Sequence, residues 1–151
     1  MSGRDLIRMT DDEVGAFLAE PGRNLCLATI NADGTPHLVA MSYGLLDGEL
    51  VMWSYRKAQK VVNLQRDPRV TVLLETGQRY EELRGVQITG RAELVEDTDR
   101  VREVGRRIAA HSLGGKLAEG SVPDTAPKRV AIVVKPGKVI SWDHAKLEGR
   151  Y

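Results

Sequence analysis

Leu50-Val51-Met52-Trp53-Ser54-Tyr55-Arg56-Lys57-Ala58-Gln59-Lys60 runs on through Val61-Val62-Asn63-Leu64-Gln65-Arg66 to Asp67-Pro68. It begins as an apolar strand, passes Ser54, a residue type that caps helices, and then sets three cations within five residues, at Arg56, Lys57 and Lys60. A helix N-terminus already carries partial positive charge, so cations there are disfavoured by up to about 1 kcal/mol. Two readings are open. In one, an anion, most often a phosphate, collects the free backbone N–H groups, the Ser54 hydroxyl and the three cationic heads. In the other, the segment is a solvated amphipathic helix whose basic residues fall early.

Upstream, Asp47-Gly48 turns the chain into this strand. Residues 24–30 are apolar and of strand length, and Asn31-Ala32-Asp33-Gly34-Thr35 carries Asp-Gly turn chemistry that tolerates positive φ. The chain returns over residues 36–46, which predicts a three-strand antiparallel meander ahead of the cationic helix. Before all of this, Thr10-Asp11-Asp12-Glu13 has the capping-box form, with Val14, Phe17 and Leu18 at helical spacing and Pro21-Gly22 as a stop. One short helix opens the chain.

Downstream, the proline of Asp67-Pro68 ends the cationic helix. Residues 69–75 read as a strand rich in β-branched side chains. Residues 84–95 alternate, with Val86, Ile88, Gly90, Ala92 and Leu94 on one face. From Asp97 the period becomes helical, Val101, Val104 and Ile108 sharing a face and the arginines lying beside acids, a solvated helix. Residues 111–127 hold three glycines and two prolines and read as a loop with at most a helical turn. Residues 129–134 and 138–142, broken by Lys135-Pro136-Gly137, read as a closing hairpin, followed by a polar tail. The sum is six or seven mostly antiparallel strands with two or three helices, a mostly β (α+β) chain whose short strands favour closure into a small barrel.

The 151 residues fit one domain spanning 1–151. With 28% charged and 42% apolar residues the composition is that of a soluble globular protein. A formal charge of +1 leaves no general footprint for nucleic acid, so any basic site is local. No signal-length or membrane-length apolar run appears, which gives a cytoplasmic expectation with no membrane partner. Cys26, the only cysteine, lies in an apolar alternating run and reads as buried filler. His37, His111 and His144 show no metal-ligand spacing, so no metal is expected. Gly-x-Ser-x-Gly, Gly-x-Gly-x-x-Gly and Walker loops are absent. His37, after a turn, reads as a hydrogen-bonding residue at a strand edge ahead of the alternative of a catalytic base. Without catalytic machinery of its own, an enzyme on this chain borrows reactivity from a cofactor that it binds, orients and shields.

Residues 37–95 resemble the flavin-binding core of the pyridoxamine 5'-phosphate oxidase-like superfamily, of FMN-binding split β-barrel fold. The resemblance rests on His37-Leu38-Val39-Ala40-Met41-Ser42, Trp53-Ser54, Arg56-Lys57 and Asp67-Pro68-Arg69-Val70 in order, followed by residues 85–93. An arginine-rich ending that holds substrate phosphate in the oxidases proper is missing. The Asp33-Gly34 turn, Pro36-His37 and Tyr80-x-x-Leu83-Arg84-Gly85-Val86 are more similar to the branch that uses the deazaflavin coenzyme F420.

The resemblance implies that Arg56, Lys57 and Lys60 hold the cofactor's phosphate or acidic tail. It also implies that the backbone of Leu38, Val39, Ala40 and Met41 faces the ring system, with Trp53 and Ser54 flanking it. Family members are dimers with the cofactor at the interface, so Tyr80, Arg84, Trp142 and His144 are implied from the partner chain. The expectation is a homodimeric oxidoreductase passing a hydride from reduced F420 to a small conjugated or heteroaromatic acceptor. The alternatives are an FMN-dependent oxidase or reductase of the same fold and a non-catalytic cofactor- or heme-binding protein.

Overall fold

The computed structural model describes residues 2–112 and 124–150. Among them, seven strands form one antiparallel sheet: β1 (Asn24–Ile30), β2 (Pro36–Ser42), β3 (Gly44–Leu46), β4 (Glu49–Tyr55), β5 (Arg69–Thr76), β6 (Arg84–Val95) and β7 (Arg129–Asp143). Four α-helices accompany them: α1 (Gly3–Ile7), α2 (Asp11–Ala19), α3 (Gln59–Arg66) and α4 (Thr98–Ser112). The strand order is β2-β1-β5-β6-β7-β4-β3. Thus β2 and β3 occupy opposite edges of the sheet while only Tyr43 separates them in the chain. Laid flat, seven strands would hold those edges roughly 30 Å apart, and one intervening residue spans only about 7 Å. The sheet must therefore roll until its edges meet, and it does so as a split half-barrel.

The main core fills the roll. Leu27, Val72, Val86, Ile88 and Ile132 point inward, and Phe17 of α2 with Val61 and Leu64 of α3 close the ends. A second cluster lies behind it, where Val101, Val104 and Ile108 of α4 cover Leu46, Val51 and Ala131. Strand β4 is consequently covered on both faces, which is why Leu50, Val51 and Met52 are all buried in succession. Thr10 and Glu13 form the expected capping box on α2.

Several expectations are corrected. The run 36–46 is two strands, because Tyr43 turns its buried ring inward, donates its hydroxyl to Leu18 O at 2.6 Å and lets the chain change edges. The meander therefore does not form: β2 pairs with β1, and β4 with β3 and β7. The closing hairpin is one fifteen-residue strand, β7, and Lys135-Pro136-Gly137 lies at an irregularity opposite Thr89 and Gly90. There the proline's missing N–H is tolerated. Cys26 faces outward and is exposed, since the alternation of β1 buries Leu25 and Leu27 instead. Helix α1, capped by Ser2, is too short to leave a periodic signal. Of the expected loop 111–127, His111 and Ser112 finish α4 and Ala126–Lys128 form a 3-10 turn; residues 113–123 lie outside the described residues.

Candidate functional site

The strand-to-helix junction does not cap as the sequence suggests. Ser54 remains inside β4, and α3 begins only after Ala58, which makes no side-chain cap. Ser54 is buried and its Oγ accepts a hydrogen bond from Lys60 Nζ at 3.1 Å. Arg56 and Lys57 sit in the turn between, both exposed, with Arg56 N donating to Lys128 O at 3.3 Å. Because β4 pairs antiparallel with β7 and sets Tyr55 opposite Arg129, a fourth cation joins this corner. The Arg129 guanidinium lies 4.2 Å from the Trp53 ring centroid and 4.1 Å from that of Tyr55, and donates to the Tyr55 hydroxyl at 3.2 Å. Nothing local in the sequence marks Arg129; only the pairing of distant strands brings it here. Trp53 in turn lies against Gly105 of α4, where any side chain would collide with the indole.

The corner carries more positive charge than the described residues neutralise. Among the described residues its one ion pair is Arg56 with Glu96, long at 3.9 Å and solvent-exposed. Lys60 faces a neutral hydroxyl, and its pKa is lowered from 10.5 by burial first and by the Arg129 charge second. A phosphate or carboxylate would relieve both effects.

Helix α3 ties this corner to the end of β1, the strand beside the edge strand β2. While Lys60 reaches Ser54, the buried Asn63 donates to Thr29 Oγ1 at 3.1 Å and to Asn31 Oδ1 at 2.9 Å, and Arg66 donates to Ile30 O. The neighbouring β2, with Leu38, Val39, Ala40 and Met41, has a ladder partner on one side only. Among the described residues its other edge has no ladder partner, which leaves backbone donors and acceptors open to a ligand lying along it. His37, on the same strand, makes no edge hydrogen bond through its Nδ1, which is buried and unpartnered among the described residues.

The remaining candidates gather at the far end of β7. Trp142 Nε1 donates to Glu75 Oε2 at 2.8 Å, and the indole lies across Gly85, its register partner, where a side chain would not fit. The His144 ring packs on Tyr80 at 4.4 Å, with Nδ1 2.7 Å from Tyr80 O. A carbonyl only accepts, so Nδ1 carries the proton. Trp142 and His144 line a cleft of about 820 Å³. Arg84 is turned elsewhere: it is ion-paired with Glu20 at 3.1 Å and stacked on Phe17. From Arg129 to Trp142 the strand runs thirteen residues, roughly 40 Å of contour at about 3.3 Å each. The two groups therefore lie at opposite ends of one long strand. Among the described residues no group of three or more His, Cys, Asp or Glu could hold a metal ion, and no helix is long and apolar enough to cross a membrane.

Comparison with known proteins agrees with the fold. A conserved hypothetical protein of Mycobacterium tuberculosis, Rv2991, is 39% identical with a TM-score of 0.88, over 98% of this chain and 93% of that one. An F420 reductase is 27% identical with a TM-score of 0.65, over 82% of this chain and 93% of its own. A heme binding protein from Mycobacterium smegmatis shares the fold at 20% identity and a TM-score of 0.63, over 93% of this chain and 60% of its own. No curated protein matches. The family model for pyridoxamine 5'-phosphate oxidase matches residues 10–143, a span that takes in all seven strands and α2 to α4. Since that match and the 39% identical relative cover the whole rolled sheet, the chain belongs to the pyridoxamine 5'-phosphate oxidase family.

Proposed function

We propose that this protein is a homodimeric oxidoreductase that binds reduced coenzyme F420 and delivers a hydride to a small conjugated or heteroaromatic acceptor. The observation that carries the reading is the under-neutralised corner of Arg56, Lys57, Lys60 and Arg129, whose one carboxylate partner among the described residues is the distant Glu96. Such a corner fits the phosphate and acidic tail of that cofactor, and the F420 reductase of the same fold supports the choice. When bound, reduced F420 supplies the hydride. The chain's own residues hold and orient: Lys57 and Arg56 bind from the turn, Lys60 from α3, the open edge of β2 offers backbone hydrogen bonds, and Trp53 and Ser54 flank.

A second copy of the chain would complete the site on this reading. Register across the sheet sets Ala40, Cys26, Leu73, Gln87 and Ile140 in one row. Of these, Gln87 and Ile140 border the cleft, while Ala40, Cys26 and Leu73 are exposed outside it, an apolar face suited to burial against another subunit. Docking there would let Trp142 and His144 serve the partner's corner. Titration of the protein with F420 and FMN in competition tests the proposal. F420 displacing FMN at comparable concentrations is the expected result, and FMN held tightly with F420 excluded overturns it.

A further inference from the structure

We infer that the cleft between α1 and the β5–β6–β7 face binds a flat aromatic anion, which, on the reading proposed above, is the acceptor. Its volume, about 820 Å³, is that of a small-molecule site. Trp142, Ile140 and Val139 line it, the latter two 43% and 47% exposed, and together they offer broad apolar area for a planar body. The hydrogen bond from Trp142 Nε1 to Glu75 fixes the indole and engages the one acid of the lining.

Against that acid stand three cations, Arg4, Arg8 and Lys138. Arg8 is paired with Asp5 at 3.1 Å on the surface, whereas Arg4 and Lys138 have no ion pair among the described residues. The lining thus keeps unspent positive charge beside an apolar wall, the combination that recognises an aromatic carboxylate rather than a neutral ring. The segment carrying two of these cations, Arg4 within α1 and Arg8 at its C-cap, is held in place. Met9 N donates to Ser141 Oγ at 3.0 Å, and Lys146 Nζ donates to Arg8 O at 3.1 Å and to Glu13 at 2.7 Å, so the start of the chain is tied to its end across the cleft.

Fluorescence titration with 2-naphthoate and its neutral analogue 2-naphthamide tests this. It is carried out on the full chain bearing Trp53→Phe, which leaves Trp142 as the sole indole. The expected result is quenching by both probes, with naphthoate bound roughly fivefold more tightly, as two exposed charge pairs allow. Adding Arg4→Gln and Lys138→Gln abolishes that preference and leaves naphthamide affinity unchanged. Equal binding of the two probes, or a preference that survives both substitutions, overturns the inference. F420 titration of the wild-type chain and of the Arg4→Gln, Lys138→Gln variant separates this result from the cofactor reading. Unchanged F420 affinity in the variant keeps the cleft for the acceptor, and a fall assigns it to the cofactor's acidic tail and overturns the acceptor assignment. Charge-selective naphthoate binding by a protein that takes no F420 at all upholds the anion site and sinks the proposed function alone.

Discussion

Lys60 shows how the corner stores its affinity. Its ammonium is half-buried, bonded to the Ser54 hydroxyl and near Arg129, and burial ahead of that neighbouring charge lowers its pKa from 10.5. For a base the sign runs one way. Below the lowered folded value the protein bears the cost of keeping the ammonium charged, and the cost is relieved as pH rises through that value. An anion placed at the corner favours the charged form and pushes the pKa back up. At alkaline pH, where part of Lys60 is neutral, F420 binding should therefore take up protons. Calorimetry in buffers of different ionisation enthalpy reads this directly, and net proton release would contradict it. Arg129 marks the limit of what the sequence discloses at this level. Arg56, Lys57 and Lys60 are neighbours in the chain and their crowding is visible in it, whereas Arg129 arrives seventy-four positions after Tyr55 through the β4–β7 ladder.

The same contrast runs through the elements. Helix α2 and the end of α3 were legible because their signals are local: Thr10 and Glu13 cap one, and Asp67-Pro68 stops the other. The length of β7 was not. Lys135-Pro136-Gly137 has turn chemistry, but the long partner β6 carries the strand straight through it and absorbs the misfit where Gly90 faces Pro136. At that place Lys135 O presses so closely on Gly90 that a Cβ would overlap it. Gly90→Ala should consequently destabilise the protein by about 2 kcal/mol, the usual scale for forcing atoms into a filled site. A urea titration should show a lower midpoint with an unchanged slope. An unchanged midpoint would mean that the irregularity relaxes freely. The Ser54 cap failed for a related reason: pairing with β7 holds Ser54 and Tyr55 in the sheet past the point where their residue types suggest a helix start.

The rolled sheet as a whole separates two groups of candidate residues that the family resemblance joins. Corner and cleft lie at opposite ends of β7, and the site proposed here joins them through a second copy. The apolar row through Cys26 and Leu73 is the surface available for it. Leu73→Arg, at a position already 39% exposed, should leave the fold intact, turn a dimer into monomers in sedimentation velocity, and weaken F420 binding. A variant that still sediments as a dimer would remove this face from the interface. Sequence could not supply this level, because alternation tells which residues share a face and not what covers it.

The central claim is that the positive charge around Ser54 serves a negatively charged cofactor. Measuring F420 affinity against salt for the wild type and for Lys57→Ala tests it most directly, since Lys57 is exposed, outside the regular elements, and free to change without disturbing the fold. The account predicts an affinity loss of roughly tenfold, within the range of a charge-assisted hydrogen bond, together with a shallower salt dependence. Equal affinity and an equal salt slope in the two proteins would contradict it.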